Sequence, residues 1–229
     1  MELHRIRGGT KEALESKEYT IGVGISLGNK WFTTENIIAL IRWSLSYTRR
    51  EVVVYVADAI HAINIEVRNG RSKGSSSRLA RQKGKKVLDE IKKEAEKVLS
   101  TKEREKIVYA TWDDLATENY KEHVNYLYDL YSANPEFKSH ITSIVQNWIS
   151  GEGKHFNEKE IDHLGTYILE ELPEMIARVP IKGVVYDANV YPFDGEISKL
   201  AEDIQLGTLF PKIKEVLLDT EPKVFLEVR

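Results

Sequence analysis

The chain has 229 residues, 41% apolar and 30% charged, long enough to bury a core without staples; the absence of cysteine excludes disulfides, thiolate metal sites and a thiol nucleophile. No apolar run approaches the roughly 18 residues of a membrane span and the N-terminus lacks a signal peptide's apolar stretch, so a soluble cytoplasmic protein is expected. The formal charge of −3 hides an asymmetry: residues 68–97 carry eleven Lys/Arg against four acids, a local +7, and the remainder carries −10.

In chain order, residues 19–25 read as a short buried strand rich in β-branched side chains. Ser26-Leu27-Gly28-Asn29 makes a turn, and Thr33 caps a helix through about residue 47 in which Ile37, Leu40, Ile41 and Leu45 recur near helical spacing. The near-continuous apolar run 51–57 is typical of a parallel strand covered on both faces. Residues 69–77 read as a loop, 78–99 as a basic helix and 107–111 as a third strand, followed by helices over about 119–131 and 136–149. Asn157 with Glu160 makes a capping box and Phe156 with Ile161 a hydrophobic staple. They start a helix running to about residue 178, with Pro173 as a kink. Residues 182–191 form a fourth strand, 196–203 and 210–219 short helices, and 223–228 a fifth strand. This alternation argues for one doubly wound, Rossmann-like α/β domain over 1–229 with about five parallel strands.

Three features could carry chemistry. Gly24-Ile25-Ser26-Leu27-Gly28 fits G-x-S-x-G after a strand, either a nucleophile turn or a glycine-rich strand end with a bland serine. A serine hydrolase needs Ser, then Asp/Glu, then His; the last histidine here is His163, which counts against that reading. On the helix after Asn157, Tyr167, Glu171 and Glu174 (i, i+4, i+7) share one edge of the buried stripe, while Glu170 points away. A carboxylate there must be paired or useful, so Glu171 is either functional or salt-bridged to a base such as Lys182. The basic helix is either a solvated face or a phosphate-binding one. The six histidines show no metal-binding spacing, and no metal is expected. Together these features suggest acyl transfer from a nucleic-acid-linked donor.

These residues resemble the cyclodipeptide synthases, a family similar to the catalytic domain of class I tyrosyl- and tryptophanyl-tRNA synthetases. The resemblance rests on Gly24-Ile25-Ser26-Leu27-Gly28-Asn29-Lys30-Trp31-Phe32 after the first strand, Val53-Val54-Tyr55-Val56, the basic helix, Tyr120, Tyr167 with Glu171, and Tyr191, in family order. It implies an enzyme without cofactor that joins two aminoacyl-tRNAs into a cyclic dipeptide through aminoacyl and dipeptidyl esters on Ser26. In this reading the second aminoacyl group's amine attacks the Ser26 ester. The resemblance further implies that Tyr167 and Glu171 hold the first α-amino group, that Glu171 moves protons, and that Tyr191 relays protons during ring closure. Gly24, Asn29 and Tyr120 would shape the reacting centre. Arg78, Arg81, Lys85, Lys92, Lys93 and Lys97 match the tRNA-binding helix, with lysine where arginine is often found. The family divides by the residue three after the serine and the residue after the late tyrosine; Asn29 matches one subgroup and Pro192 the other.

The first aminoacyl pocket would comprise Gly22, Val54, Thr111, Ile144, Glu174 and Asn189. Glu174 stands where leucine is common, which implies a polar or cationic first side chain, histidine being a candidate. The alternative is an outward Glu174 paired with Arg178 at i+4. Two other functions compete: a serine esterase, and a non-catalytic tRNA-binding module needing neither Ser26 nor Glu171.

Overall fold

The β-branched runs assemble into a six-stranded sheet in the computed structural model, which describes residues 1–193, 195–218 and 222–229. The strands are β1 (Leu3–Arg7), β2 (Ile21–Ile25), β3 (Val52–Val56), β4 (Ile107–Thr111), β7 (Ala188–Tyr191) and β8 (Val224–Val228), while β5 (Pro180–Ile181) and β6 (Val184–Val185) pair as a separate hairpin. Across the sheet the order is β1-β8-β7-β2-β3-β4. Every neighbouring pair is parallel except β1 with β8. The helices are α1 (Lys11–Glu15), α2 (Thr34–Ser46), α3 (Asp58–Asn69), α4 (Lys73–Val98), α5 (Thr101–Arg104), α6 (Glu118–Ala133), α7 (Pro135–Ile149), α8 (Glu158–Ile176), α9 (Glu196–Leu206) and α10 (Pro211–Leu217).

The five parallel strands match the reading of the sequence, and β1 is the sixth. Its sequence LHRIR alternates weakly because it is an edge strand with His4 and Arg5 exposed. Ile21, Val23, Val52, Val54 and Val56 meet α2 and α4 on one face of the sheet. Val53 and Tyr55 meet Tyr120, Tyr167 and Tyr186 on the other. Beyond that second face, α6 to α10 share a further apolar cluster.

Three expectations need correction. Residues 58–69 form α3, which the sequence reading left unassigned, and the loop expected over 69–77 shrinks to 70–72. Gly70, at φ 61°, ends α3 in the left-handed conformation. The basic helix therefore begins at Lys73. Ser76, Ala80 and Gly84 form its buried small-residue edge against α3; a β-carbon on Gly84 would come within 2.4 Å of Asp58 Cβ. Second, 182–191 is not one strand. Lys182 (φ 50°) and Gly183 (φ 81°) make a two-residue turn between β5 and β6, and the sheet strand starts at Ala188. Third, α9 runs three residues past 203, to Leu206. The final helix closes at Leu217, and Asp219, its expected end, lies outside the described residues.

Helix α8 starts as its sequence dictates. Asn157 accepts from the Glu160 N–H at 3.1 Å while Glu160 accepts from the Asn157 N–H at 2.9 Å, and Phe156 and Ile161 join one apolar cluster. The helix carries Pro173 within its last turn and ends at Ile176. Among the described residues no helix is long and apolar enough to cross a membrane.

Candidate active site

Chain order reverses between β2 and β7: the chain steps from β2 outward to β3 and β4, then crosses back to β7 and β8. Ligands of parallel sheets bind at such a switch point, beyond the carboxyl ends of the strands. Ser26 follows the last residue of β2, and Tyr191 is the last residue of β7. Both border a cavity of about 680 Å³, together with Gly24, Asn29, Tyr167, Glu171, Glu174 and Asn189.

The glycines of β2 make room for this arrangement. A β-carbon on Gly22 would lie 2.5 Å from the Tyr186 ring, and one on Gly24 would lie 2.8 Å from the Tyr55 hydroxyl, so only glycine lets these tyrosines lie over the strand. After Ser26, Asn29 Oδ1 accepts from the Trp31 N–H at 3.0 Å and Thr33 caps α2 through the Asn36 N–H at 3.2 Å. The serine turn is thereby fastened to a helix start.

Helix α8 supplies Tyr167, Glu171 and Glu174 to the cavity at i, i+4 and i+7. The Tyr167 and Tyr191 hydroxyls both neighbour the Ser26 side chain in the cavity. Burial, followed by the Glu171 charge, raises both phenols above their ordinary range, so they remain neutral O–H groups. Burial and then the Glu174 charge push the Glu171 carboxyl up to about 8. It is a proton-exchanging group close to neutrality.

Glu174 behaves differently one turn on. It is 3% exposed and faces inward, so the outward alternative with Arg178 does not hold. Arg178 instead pairs with Asp187 at 3.3 Å. Lys223 Nζ lies 3.0 Å from Glu174 Oε1, and Tyr186 Oη and Asn189 Nδ2 donate to the same oxygen. Burial opposes the charge, but Lys223, Tyr186 and Asn189 hold Glu174 below the usual carboxylate range. Lys182 serves neither glutamate: it donates to the Tyr109 carbonyl at 2.7 Å and meets Asp114 at 3.4 Å.

Of the residues expected in the first pocket, Ile144, Glu174 and Asn189 line the cavity, while Gly22, Val54 and Thr111 lie outside its lining. Gly22 is covered by Tyr186. Side chains alternate along a strand, so Val54 faces α2 and α4, and its neighbour Tyr55 occupies the cavity side. Thr111 is drawn into a cap with Asp114, whose Oδ2 accepts from the Thr111 N–H at 2.9 Å. Tyr120 stands behind the wall, donating to the Glu170 carbonyl and packing edge-on against Trp112 at 6.3 Å. It braces α8 at the turn that presents Glu171.

The sequence reading missed the α3 side of the cavity, where His61, Asn64 and Arg68 line the wall. Burial, then the Lys83 and Arg68 charges, lower His61 to about 4, so it is a neutral imidazole. Arg68 pairs with Glu152 and stacks 5.0 Å from the Trp148 ring. The spacing i, i+3, i+7 on an amphipathic segment was the available signal.

On α4, Arg78, Arg81, Lys85 and Lys92 fall at i, i+3, i+7 and i+14, on one side of the helix. Arg81 is engaged by Asp113 in two hydrogen bonds of 2.9 and 2.8 Å, and Lys97 pairs with Glu94 at 2.7 Å. Lys92 Nζ lies 5.3 Å from the Tyr109 ring. Arg78, Lys85 and Lys93 are exposed, and Lys83 reaches the cavity rim. Among the described residues no group of three or more His, Asp or Glu is arranged to hold a metal ion.

The cyclodipeptide synthase family model matches residues 9–207. No curated protein matches the chain. Among solved structures, a cyclodipeptide synthase from Staphylococcus haemolyticus superposes with a TM-score of 0.74 at 16% identity, covering 98% of this chain and 99% of its own. A Mycobacterium tuberculosis cyclodipeptide synthetase, described as related to type I tRNA synthetases, gives 0.69 at 18% identity over 96% and 90%. The synthase from Candidatus Glomeribacter gigasporarum bound to Phe-tRNAPhe gives 0.59 at 16% over 92% and 88%. With the family match spanning most of its length, the chain belongs to the cyclodipeptide synthases, tRNA-dependent aminoacyltransferases with a fold related to class I tRNA synthetases.

Proposed function

We propose that this enzyme builds its cyclic dipeptide on Ser26, from two aminoacyl-tRNAs. The observation that carries the reading is the convergence of Tyr167 and Tyr191 on the Ser26 side chain, with Glu171 beside them in the same cavity. In the first step Ser26 Oγ attacks the ester carbon of one aminoacyl-tRNA. The bond to the terminal ribose oxygen breaks, and the serine proton leaves with that oxygen. The donor ester is already activated, so no ATP is consumed. The α-ammonium of the bound residue favours an ionised Glu171, which takes one proton from it and frees the amine.

That amine attacks the ester of the second aminoacyl-tRNA, forming a peptide bond and releasing the second tRNA with a proton. This direction replaces the one expected from the sequence. Attack by the second amine on the Ser26 ester would release Ser26 and strand the dipeptide on tRNA. Finally the N-terminal amine of the dipeptidyl ester attacks the Ser26 ester carbon, closing the six-membered ring, and Ser26 recovers a proton through Tyr191. Tethering makes this last step unimolecular. Gly24, Asn29 and Tyr120 act by shaping the turn and the wall.

Cations on α4 (Arg78, Lys85, Lys92 and Lys93) would track tRNA phosphates, as supported by their exposure on the helix whose Lys83 reaches the cavity; Arg81 and Lys97 contribute less because Asp113 and Glu94 already hold them. The inward, buried Glu174 supports a polar first side chain that donates a hydrogen bond, histidine being a candidate. The deciding experiment is expression in bacteria with mass spectrometry of the medium. Cyclic dipeptides are expected from the parent and not from Ser26→Ala; undiminished product from Ser26→Ala overturns the covalent route.

A further inference from the structure

The floor of the cavity holds a charge pair that none of these steps uses. Lys223, the residue before β8, has no exposed side-chain surface. Its Nζ lies 3.0 Å from Glu174 Oε1, donates also to the Glu174 carbonyl, and sits 4.0 Å over the Tyr186 ring. Tyr186 and Asn189 complete the donors on Oε1. Arg178 and Asp187, the other charges felt by Lys223, pair with each other at 3.3 Å. The floor is therefore electrically neutral although it contains a carboxylate. Asn189, which borders the cavity, keeps its Oδ1 buried without a partner.

Neutrality changes what the pocket can accept. A lysine or arginine side chain would have to leave water for a site whose carboxylates are already engaged, Glu174 by Lys223 and Glu171 by the α-amino group, and an uncompensated buried charge is expensive. An uncharged donor incurs no such penalty and can hydrogen-bond to the Glu174 carboxylate that borders the cavity. We propose that Lys223 is a specificity-determining residue: by neutralising Glu174 it restricts the first aminoacyl group to uncharged, hydrogen-bond-donating side chains and turns away lysine and arginine. This deepens the reading in which the first substrate is esterified to Ser26 and occupies this cavity.

The test is acylation of the purified full-length protein by each of the twenty aminoacyl-tRNAs singly, read by intact-protein mass spectrometry and by product analysis. The parent is expected to accept donors such as histidine or glutamine over lysine and arginine. In Lys223→Met, acylation by lysyl- or arginyl-tRNA relative to the parent's preferred donor is expected to rise at least about tenfold. That variant leaves Glu174 unpaired in the interior, so its folding is checked by thermal melting. Glu174→Gln/Lys223→Met, which removes both charges, is measured beside it and should show no gain for lysine or arginine. A folded Lys223→Met with the parent's selectivity overturns the role of Lys223. So does a parent that prefers lysine, arginine or an apolar residue, and this outcome needs no variant to fold. Absence of acylation from every aminoacyl-tRNA overturns the Ser26 reading itself, and the proposal with it.

Discussion

Glu171 couples activity to stability through one proton. Burial and the Glu174 charge raise its carboxyl from 4.5 to about 8 in the folded protein. Between those values the folded state keeps a proton that the unfolded chain releases, so stability falls as pH rises through the window. Below it both states are protonated and the penalty disappears. Glu171→Gln removes the titration with little change of shape. The variant is expected to be more stable than the parent at pH 7, by about 1–3 kcal/mol, and no more stable at pH 4. Its cyclic dipeptide output should fall about 100-fold or more, the usual cost of losing a positioned proton carrier. Denaturation at both pH values, paired with the product assay, checks this; an equal stability difference at the two would mean that Glu171 is not held protonated.

At the scale of elements, what could be read from the sequence follows which side of each element meets apolar surroundings. Strand β3, buried along its length, announced itself as an apolar run; β1, an edge strand with three polar residues among five, did not. Helix α3 escaped because His61 and Asn64 are buried on its cavity side, which breaks the apolar period a solvent-facing helix would show. One-residue alternation separated the expected Val54 from the observed Tyr55. Ser26, Tyr167, Glu171 and Tyr191 were legible as motifs in order along the chain, whereas Lys223 meets Glu174 across 49 residues of sequence, a pairing only the fold reveals. The charge run of α4 was legible, but the engagement of Arg81 by Asp113 was not. That contrast is testable. Lys85→Ala should weaken tRNA binding several-fold, while Arg81→Ala, which removes an already paired cation, should weaken it less; filter-binding titrations of both variants decide the order, and a larger loss for Arg81→Ala would remove the distinction.

Across the whole molecule, the helix that carries the exposed cations also touches the cavity, through Lys83 at its rim. A helix of 26 residues extends about 39 Å, enough to follow an acceptor stem whose 3′ end enters the cavity. The rest of the chain carries −10, which weakens non-specific attraction to nucleic acid outside this segment. Binding should then depend steeply on salt. Each phosphate neutralised contributes a slope of about −0.7 to −0.9 in log K against log salt. Contacts from Arg78, Lys85, Lys92 and Lys93 would make a rise from 50 to 200 mM salt weaken tRNA binding about 100-fold, and Lys85→Ala should flatten the slope by nearly one contact. Chemistry at Ser26, which lines the cavity rather than the helix surface, should show little salt dependence once tRNA is saturating. Titrations at several salt concentrations, with single-turnover acylation measured at saturation, separate the two; a flat binding slope would place the tRNA on another face of the protein.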